Sequence, residues 1–199
     1  MMLIEETTIP QASLPVSEFK AHLRLGTGFS DDDVQDQILE SFLRAAIASI
    51  EARTGKVLIE REFSWELNAW RTSYGQALPV APVNAIVSVT RRMAGAADEV
   101  AAPGTYRLDV DTHRPRLMPM AAMLPGVPTG GSVIVRFLAG YGPMWGDLPA
   151  DLGQAVLLLA AHYYEYRSDT ALGNGCMPFG VTSLIERYRT VRLLGGGAR

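Results

Sequence analysis

Histidines and carboxylates are the groups from which a soluble enzyme most often builds a site, and this chain has few in useful order. Its three histidines are His22, His113 and His162, and none stands in a His-Glu-x-x-His type zinc spacing. His162 and Glu165 sit at i,i+3, which is half of a di-metal carboxylate motif. That motif needs a second copy and two further carboxylates from other helices, and the sequence supplies neither. Asp109 and Asp111 flank Val110, so on a strand they share one face. Such a pair, with a histidine, could hold Mg²⁺ for a metal-dependent phosphodiesterase or nuclease. The following Thr112-His113-Arg114-Pro115-Arg116 favours a solvated strand-end turn paired to arginine.

The other candidates are weaker. Gly140-Tyr141-Gly142 lacks the Lys-Ser/Thr of a P-loop and the third glycine of a dinucleotide fold. Asp31-Asp32-Asp33 precedes no glycine-turned ligand loop and reads as helix capping. Cys176 is the single cysteine, so no disulfide can form within the chain and no Cys-based zinc site exists. A reducing cytoplasm fits. No Ser or Cys nucleophile has a base at a recognisable spacing. The expectation is therefore no catalytic residue, no metal site and no cofactor, hence no enzyme.

The elements that carry these residues read as helices around a β region. A short helix is expected from Ser17 to Leu25, ended by Gly26-Thr27-Gly28. A longer one is capped by Ser30 and ends at Arg53 and Gly55. Its Val34, Ile38, Leu39, Phe42, Leu43, Ala46, Ile47 and Ile50 form a wide apolar stripe, with Glu40 and Arg44 positioned to pair on the wet face. From Val57 the period changes. Strands are expected at 57–65, 85–91, 106–110 and 132–138, punctuated by Gly and Pro. The Met-rich stretch 118–123 is aperiodic, suited either to packing on a partner or to filling the core.

After Gly142-Pro143 a helix with Pro149 in its first turn runs to Arg167. Residues 155–161 are apolar around the whole circumference, so the helix must be buried on all sides, either by its own bundle or by another subunit. Leu152, Val156, Leu158, Leu159 and Tyr163 are the candidate subunit-packing residues. Ser168–Gly180 reads as a loop. Ser183-Leu184-Ile185-Glu186 fits a capping box for a final helix reaching Leu194. Leu184, Tyr188, Val191 and Leu194 then share a face beside Arg187, Arg189 and Arg192, with Ile185 near them, and a glycine-rich end follows.

The fold class expected is α+β: a helical bundle with an inserted antiparallel β lobe. Residues 1–56 form the N-terminal part of the bundle, 57–140 the lobe, and 141–199 the helices that complete the bundle. Composition agrees with a folded chain. Of 199 residues 48% are hydrophobic and 20% charged, and the net charge of −3 argues against a general nucleic-acid coat. Lys20 and Lys56 are the only lysines. That arginine skew fits a GC-rich genome, or interface chemistry, since arginine pairs bidentately and tolerates burial. A non-specific DNA-binding module resting on the arginine-rich C-terminus is a further alternative. The N-terminus lacks a basic stretch before an apolar run and is not expected to be a signal peptide. The longest apolar run is too short to span a membrane.

One resemblance covers most of the chain. Gly140-Tyr141-Gly142, Asp147-Leu148-Pro149-Ala150-Asp151-Leu152, Gln154-Ala155 through Tyr163-Tyr164-Glu165 with Arg167, and the closing Gly180-Val181, Ser183-Leu184 and Tyr188-Arg189 are similar to head–tail connector (adaptor) proteins of long-tailed phages. Val16 to Leu25, Glu51-Ala52-Arg53-Thr54-Gly55 and Leu78-Pro79-Val80-Ala81-Pro82-Val83 resemble the family too. The length and the Arg/Ala/Gly-rich composition resemble the adaptor of a phage-derived gene transfer agent. The resemblance implies a ring, commonly of twelve copies, beneath the portal, extending the DNA channel and receiving stopper or tail-completion proteins. Implied partners are the portal, those proteins, the chain itself and double-stranded DNA contacted without sequence reading, with no membrane. Assembly would occur in the bacterial cytoplasm, and the ring would then lie in the particle neck. The resemblance also suggests that Leu184, Ile185, Arg187, Tyr188, Arg189, Val191, Arg192 and Leu194 dock on the portal. The large β lobe departs from the smallest family members, which are nearly all helix.

Overall fold

The computed structural model describes residues 2–25, 33–93, 95–167 and 177–189. Helix α2 (Asp33–Thr54) presents Leu39, Leu43, Ala46, Ile47 and Ile50 on one stripe, and all five are fully or almost fully buried. They meet α1 (Val16–His22) and α3 (Ala150–Glu165). Helix α4 (Phe179–Ile185) packs on α3. Phe19, Leu152, Val156, Leu159, Val181, Ile185 and Tyr188 complete this helical core.

Residues 61–139 supply a second core built on period-two alternation. Strands β2 (Arg61–Leu67), β4 (Val83–Arg92) and β8 (Ser132–Ala139) form the centre of a five-stranded antiparallel sheet. It is edged by β1 (Met2–Glu5) and β5 (Glu99–Val100), in the order β1-β2-β8-β4-β5. Phe63, Trp65 and Leu67 of β2 face inward with Val133, Val135 and Phe137 of β8, and the Phe63 and Phe137 rings stack at 5.8 Å. A smaller antiparallel sheet holds β3 (Gln76–Ala77), β7 (Arg116–Pro119) and β6 (Tyr106–Asp109), in the order β3-β7-β6. Its Tyr106 and Leu117 close the same core. The fold is α+β, a helical bundle carrying an antiparallel β lobe.

Bundle and lobe meet where α2 runs into β2 and β8 runs towards α3. Glu60 donates its N–H to Gly142 O, and Tyr141 donates to Leu58 O. Gly140 lies between them at φ +142°, where a Cβ would stand 2.4 Å from the Glu60 backbone, so a side chain is excluded there. The Glu51 carboxylate, at the end of α2, accepts the Leu58 N–H and an Arg61 Nη2 bond, each at 2.7 Å. Burial is the largest influence on Glu51 and raises its pKa above the ordinary carboxylate value, while the Arg61 charge and the Leu58 N–H oppose it. Lys56 is fully buried beside this joint and donates Nζ–H to Thr112 O at 2.9 Å. Burial lowers its pKa.

Several local expectations need correction. The first long strand starts at Arg61, because Lys56 and Ile59 make single parallel bridges to Ala81 and Gly142 instead of a ladder. The Met-rich stretch 118–123 begins in the last two residues of β7 (Arg116–Pro119), and beyond the strand Met120 and Met123 are exposed. Arg44 donates to Ile9 O and Glu40 accepts from Gln11, so the two do not pair with each other. Ser183 lies inside α4, which is preceded by Pro178. Helix α4 ends at Ile185: a single 3-10 turn (Glu186–Tyr188) follows it, and Arg189 is extended at φ −66°, ψ 130°. The Ser30 cap, Asp31, Asp32, Cys176 and residues 190–199 lie outside the described residues.

Candidate assembly interfaces

The groups first considered for chemistry are occupied with structure. Asp111 Oδ1 accepts the backbone N–H groups of His113 and Arg114, both at 2.7 Å. Those bonds hold its carboxyl below the usual range. Asp111 is thus a turn-forming aspartate. Asp109 lies 3.8 Å from Arg107 Nη1. The His162 ring rests against Tyr166 at 4.7 Å, and Glu165 is exposed. Among the described residues no group of three His, Cys, Asp or Glu is placed to hold a metal ion. Those residues also include no helix long and apolar enough to cross a membrane.

The two surfaces expected to serve assembly are divided by the fold. On α3, Leu152, Val156 and Leu159 face their own bundle and are buried. Leu158 and Tyr163 stay half-buried together with Leu157 and Tyr164. Tyr164 meets Phe42 of α2 edge-on at 5.9 Å, so among the described residues Leu157 and Leu158 form an apolar edge of the helix that is only partly covered. Tyr163 Oη is hydrogen-bonded to Ser49 Oγ at 3.0 Å, which fixes Tyr163 to α2.

At the chain's end, α4 is tied to α3 by a polar cluster. Tyr188 Oη donates to Asp151 Oδ1 at 2.6 Å, and Arg187 Nη2 pairs with Asp151 Oδ2 at 2.7 Å and reaches Tyr188 Oη. Tyr141 packs edge-on against Tyr188. Burial, then the neighbouring Tyr188 and Asp151, push the Tyr141 hydroxyl up to about 12, so it stays a neutral hydroxyl at physiological pH. Burial raises Tyr188 as well. Ile185 and Tyr188 are thereby committed to their own subunit, and Leu184 packs half-buried against it. Arg187 and Arg189 remain on the surface, Arg189 paired with Glu186. Val191, Arg192 and Leu194 lie outside the described residues.

Sequence reasoning missed further surface features. Phe179, at the start of α4, is 88% exposed. Strand β1 carries three consecutive exposed apolar residues, Met2, Leu3 and Ile4. The available signal was that short apolar run followed by Glu5-Glu6, too brief to separate from an unstructured end. An open cleft of about 1250 Å³ lies at the far end of the lobe, lined by Trp70, Arg71, Tyr74, Arg92 and Pro128 among others. Trp70 is fixed in it by donating Nε1–H to Pro125 O at 2.7 Å.

No family model matches the chain, and no curated protein matches it either. Solved structures do. The chain is similar, at 52% identity and a TM-score of 0.89, to a chain from the neck of an empty gene transfer agent particle computed with C6 symmetry. That match covers 98% of this chain and 99% of the other. A chain from the virion of a native gene transfer agent particle matches at 53% identity and TM-score 0.86, with the same coverage. A chain from the neck of a native particle computed with C12 symmetry matches at 49% identity and TM-score 0.84, again over 98% and 99%.

Proposed function

We propose, since the chain belongs to the head–tail connector (adaptor) family of gene transfer agent necks, that it is a structural ring subunit seated under the portal of a phage-like particle. The observation that carries this is the match at 52% identity over almost the full length of both chains to a neck component. The half-buried stripe on α3 supports a ring, because a lone subunit leaves Leu157, Leu158 and Tyr163 partly in water. A closed cyclic ring needs one patch of each copy to meet a different patch of the next. Twelve copies agree with the C12 symmetry of the native neck.

The role is assembly and not catalysis. The ring extends the DNA channel, holds double-stranded DNA loosely and without sequence reading, and offers its far side to stopper or tail-completion proteins. A net charge of −3 suits a channel that must release DNA. The subunit folds in the bacterial cytoplasm and ends in the neck. Portal docking falls to the C-terminus, with Arg187 and Arg189 as its surface charges and residues 190–199 beyond them. Because Ile185 and Tyr188 are buried in their own bundle, a deletion must spare them. The test is removal of residues 190–199, followed by pull-down on portal. Folding unchanged with portal binding lost supports the docking role; binding equal to the intact chain places the portal contact elsewhere.

A further inference from the structure

Strand β1 is an edge strand whose four side chains are all exposed. Met2 is 53% exposed, Leu3 38% and Ile4 41%. Neighbours on a strand point to opposite faces, so Met2 and Ile4 stand on one face and Leu3 on the other. One edge of β1 pairs with β2, from Met2 opposite Glu66 to Glu5 opposite Phe63. Its other edge has no strand partner among the described residues. Exposed apolar edges are liabilities that monomeric proteins blunt with lysine, proline, a bulge or a covering loop. None of the first three occurs in Met2-Leu3-Ile4-Glu5.

The opposite edge of the same sheet is built differently. There β4 has register shifts at Asn84 and Val87 and is covered by β5 only at Thr90 and Arg91. Val87 is left 50% exposed and Val100, in β5, 64% exposed. The two sides of the lobe thus carry two different apolar patches. Their strand directions are compatible: in the antiparallel order β1-β2-β8-β4, β1 and β4 run oppositely. The β1 of one copy laid along the β4 edge of another therefore continues the antiparallel order.

We propose that the occupant of the β1 edge is a second copy of this chain, its β4–β5 edge receiving Met2, Leu3 and Ile4 of the neighbour in the ring. The contact is head-to-tail, as ring closure requires. It adds to the α3 stripe a second contact, in the lobe, and gives the lobe a part in closing the ring. The inference rests on the ring reading.

The test is disulfide trapping in particles assembled with the full chain. Leu3→Cys and Val87→Cys are combined in a Cys176→Ser background, and a second pair in the same antiparallel register, Met2→Cys with Ser88→Cys, guards against a misfolded variant. A disulfide needs Cα atoms about 4.4–6.8 Å apart, so only close neighbours are captured. The expected result on a non-reducing gel is a ladder of multimers beyond the dimer for at least one pair, absent from each single-cysteine variant. Intact neck rings without a ladder from either pair overturn the edge contact and leave the ring reading standing. Dimers from the Leu3→Cys variant alone also overturn it, since they report β1 meeting β1. Particles whose necks lack rings of this chain overturn both.

Discussion

Adjacent leucines on α3 separate the subunit's own core from the side of the helix that the ring reading assigns to assembly. Leu159 is 1% exposed and lies in the helical core, while Leu158, the next residue, is half-buried. Leu159→Ala removes a fully enclosed side chain, and such truncations cost roughly 2–5 kcal/mol, because a cavity is left as well as the transfer energy lost. Leu158→Ala, in a free subunit, gives up only part of a burial worth roughly 1.5–3 kcal/mol, hence about 1 kcal/mol. With a urea slope of about 2 kcal/mol per M, losses of about 3 and about 1 kcal/mol lower the unfolding midpoint by about 1.5 M and about 0.5 M. Assembly should rank the two sites the other way. Leu158→Asp leaves the free chain folded and places a carboxylate on the stripe, so ring formation on the portal is expected to fail. The assay pairs urea unfolding of the free protein with electron microscopy of rings on purified portal. Equal midpoints for the two alanine variants, or normal rings with Leu158→Asp, would refute the division of α3 into a core side and a contact side.

Three further outcomes follow from the polar joints. Tyr188→Phe deletes the donor to Asp151 and is expected to cost roughly 1–2 kcal/mol, read as a lower melting temperature; an unchanged melting temperature would show that the cluster does not secure α4. Glu51 has a raised pKa in the folded chain, so its contribution to stability is full below the unfolded carboxylate value and is lost as pH rises through the folded one. The stability advantage of the native chain over Glu51→Gln is therefore expected to shrink from acidic to neutral pH in urea midpoints, and an advantage that grows would contradict the dominance of burial. Lys56→Met keeps the buried stem and loses the bond to Thr112 O, so amide exchange is expected to quicken around residues 109–115, whereas unchanged exchange would assign that turn's order to Asp111 alone.

The helical part of the fold was legible because its signals are long. The stripe on α2 from Leu39 to Ile50 repeats over three turns, and Pro149 marks the start of α3. Strands β4, β6 and β8 were legible to within two residues at each end, because β-branched, aromatic or leucine side chains cluster there between Gly and Pro punctuation. Two-residue strands such as β3 and β5 carry no period to read, and β1 has only four residues. The C-terminal error has a different cause. Ser183 and Glu186 match a capping box by type and spacing, yet Pro178 precedes a helix that starts earlier, and the 3-10 turn after it carries Tyr188 into the bundle, where it bonds to Asp151. That partner is 37 residues away, beyond any local pattern.

The same distinction governs the candidate surfaces. The apolar circumference of α3 was readable, but which half meets α2 was not, because helical phase alone does not fix the neighbour. Of the residues named for docking, Ile185 and Tyr188 proved to be buried, since a short amphipathic face reads alike whether it packs on its own chain or on another. The Glu51–Arg61 pair at the joint was invisible for a similar reason: a charged pair ten residues apart announces burial only when the fold brings an apolar shell around it.

The most direct measurement is an electron-microscopic reconstruction of particles assembled with this chain, symmetrised about the tail axis. The expected result is a ring of twelve copies between portal and tail, with α3 of each subunit against its neighbour. Density for this chain at any other position in the particle, or a neck complete without it, would contradict its assignment as the connector.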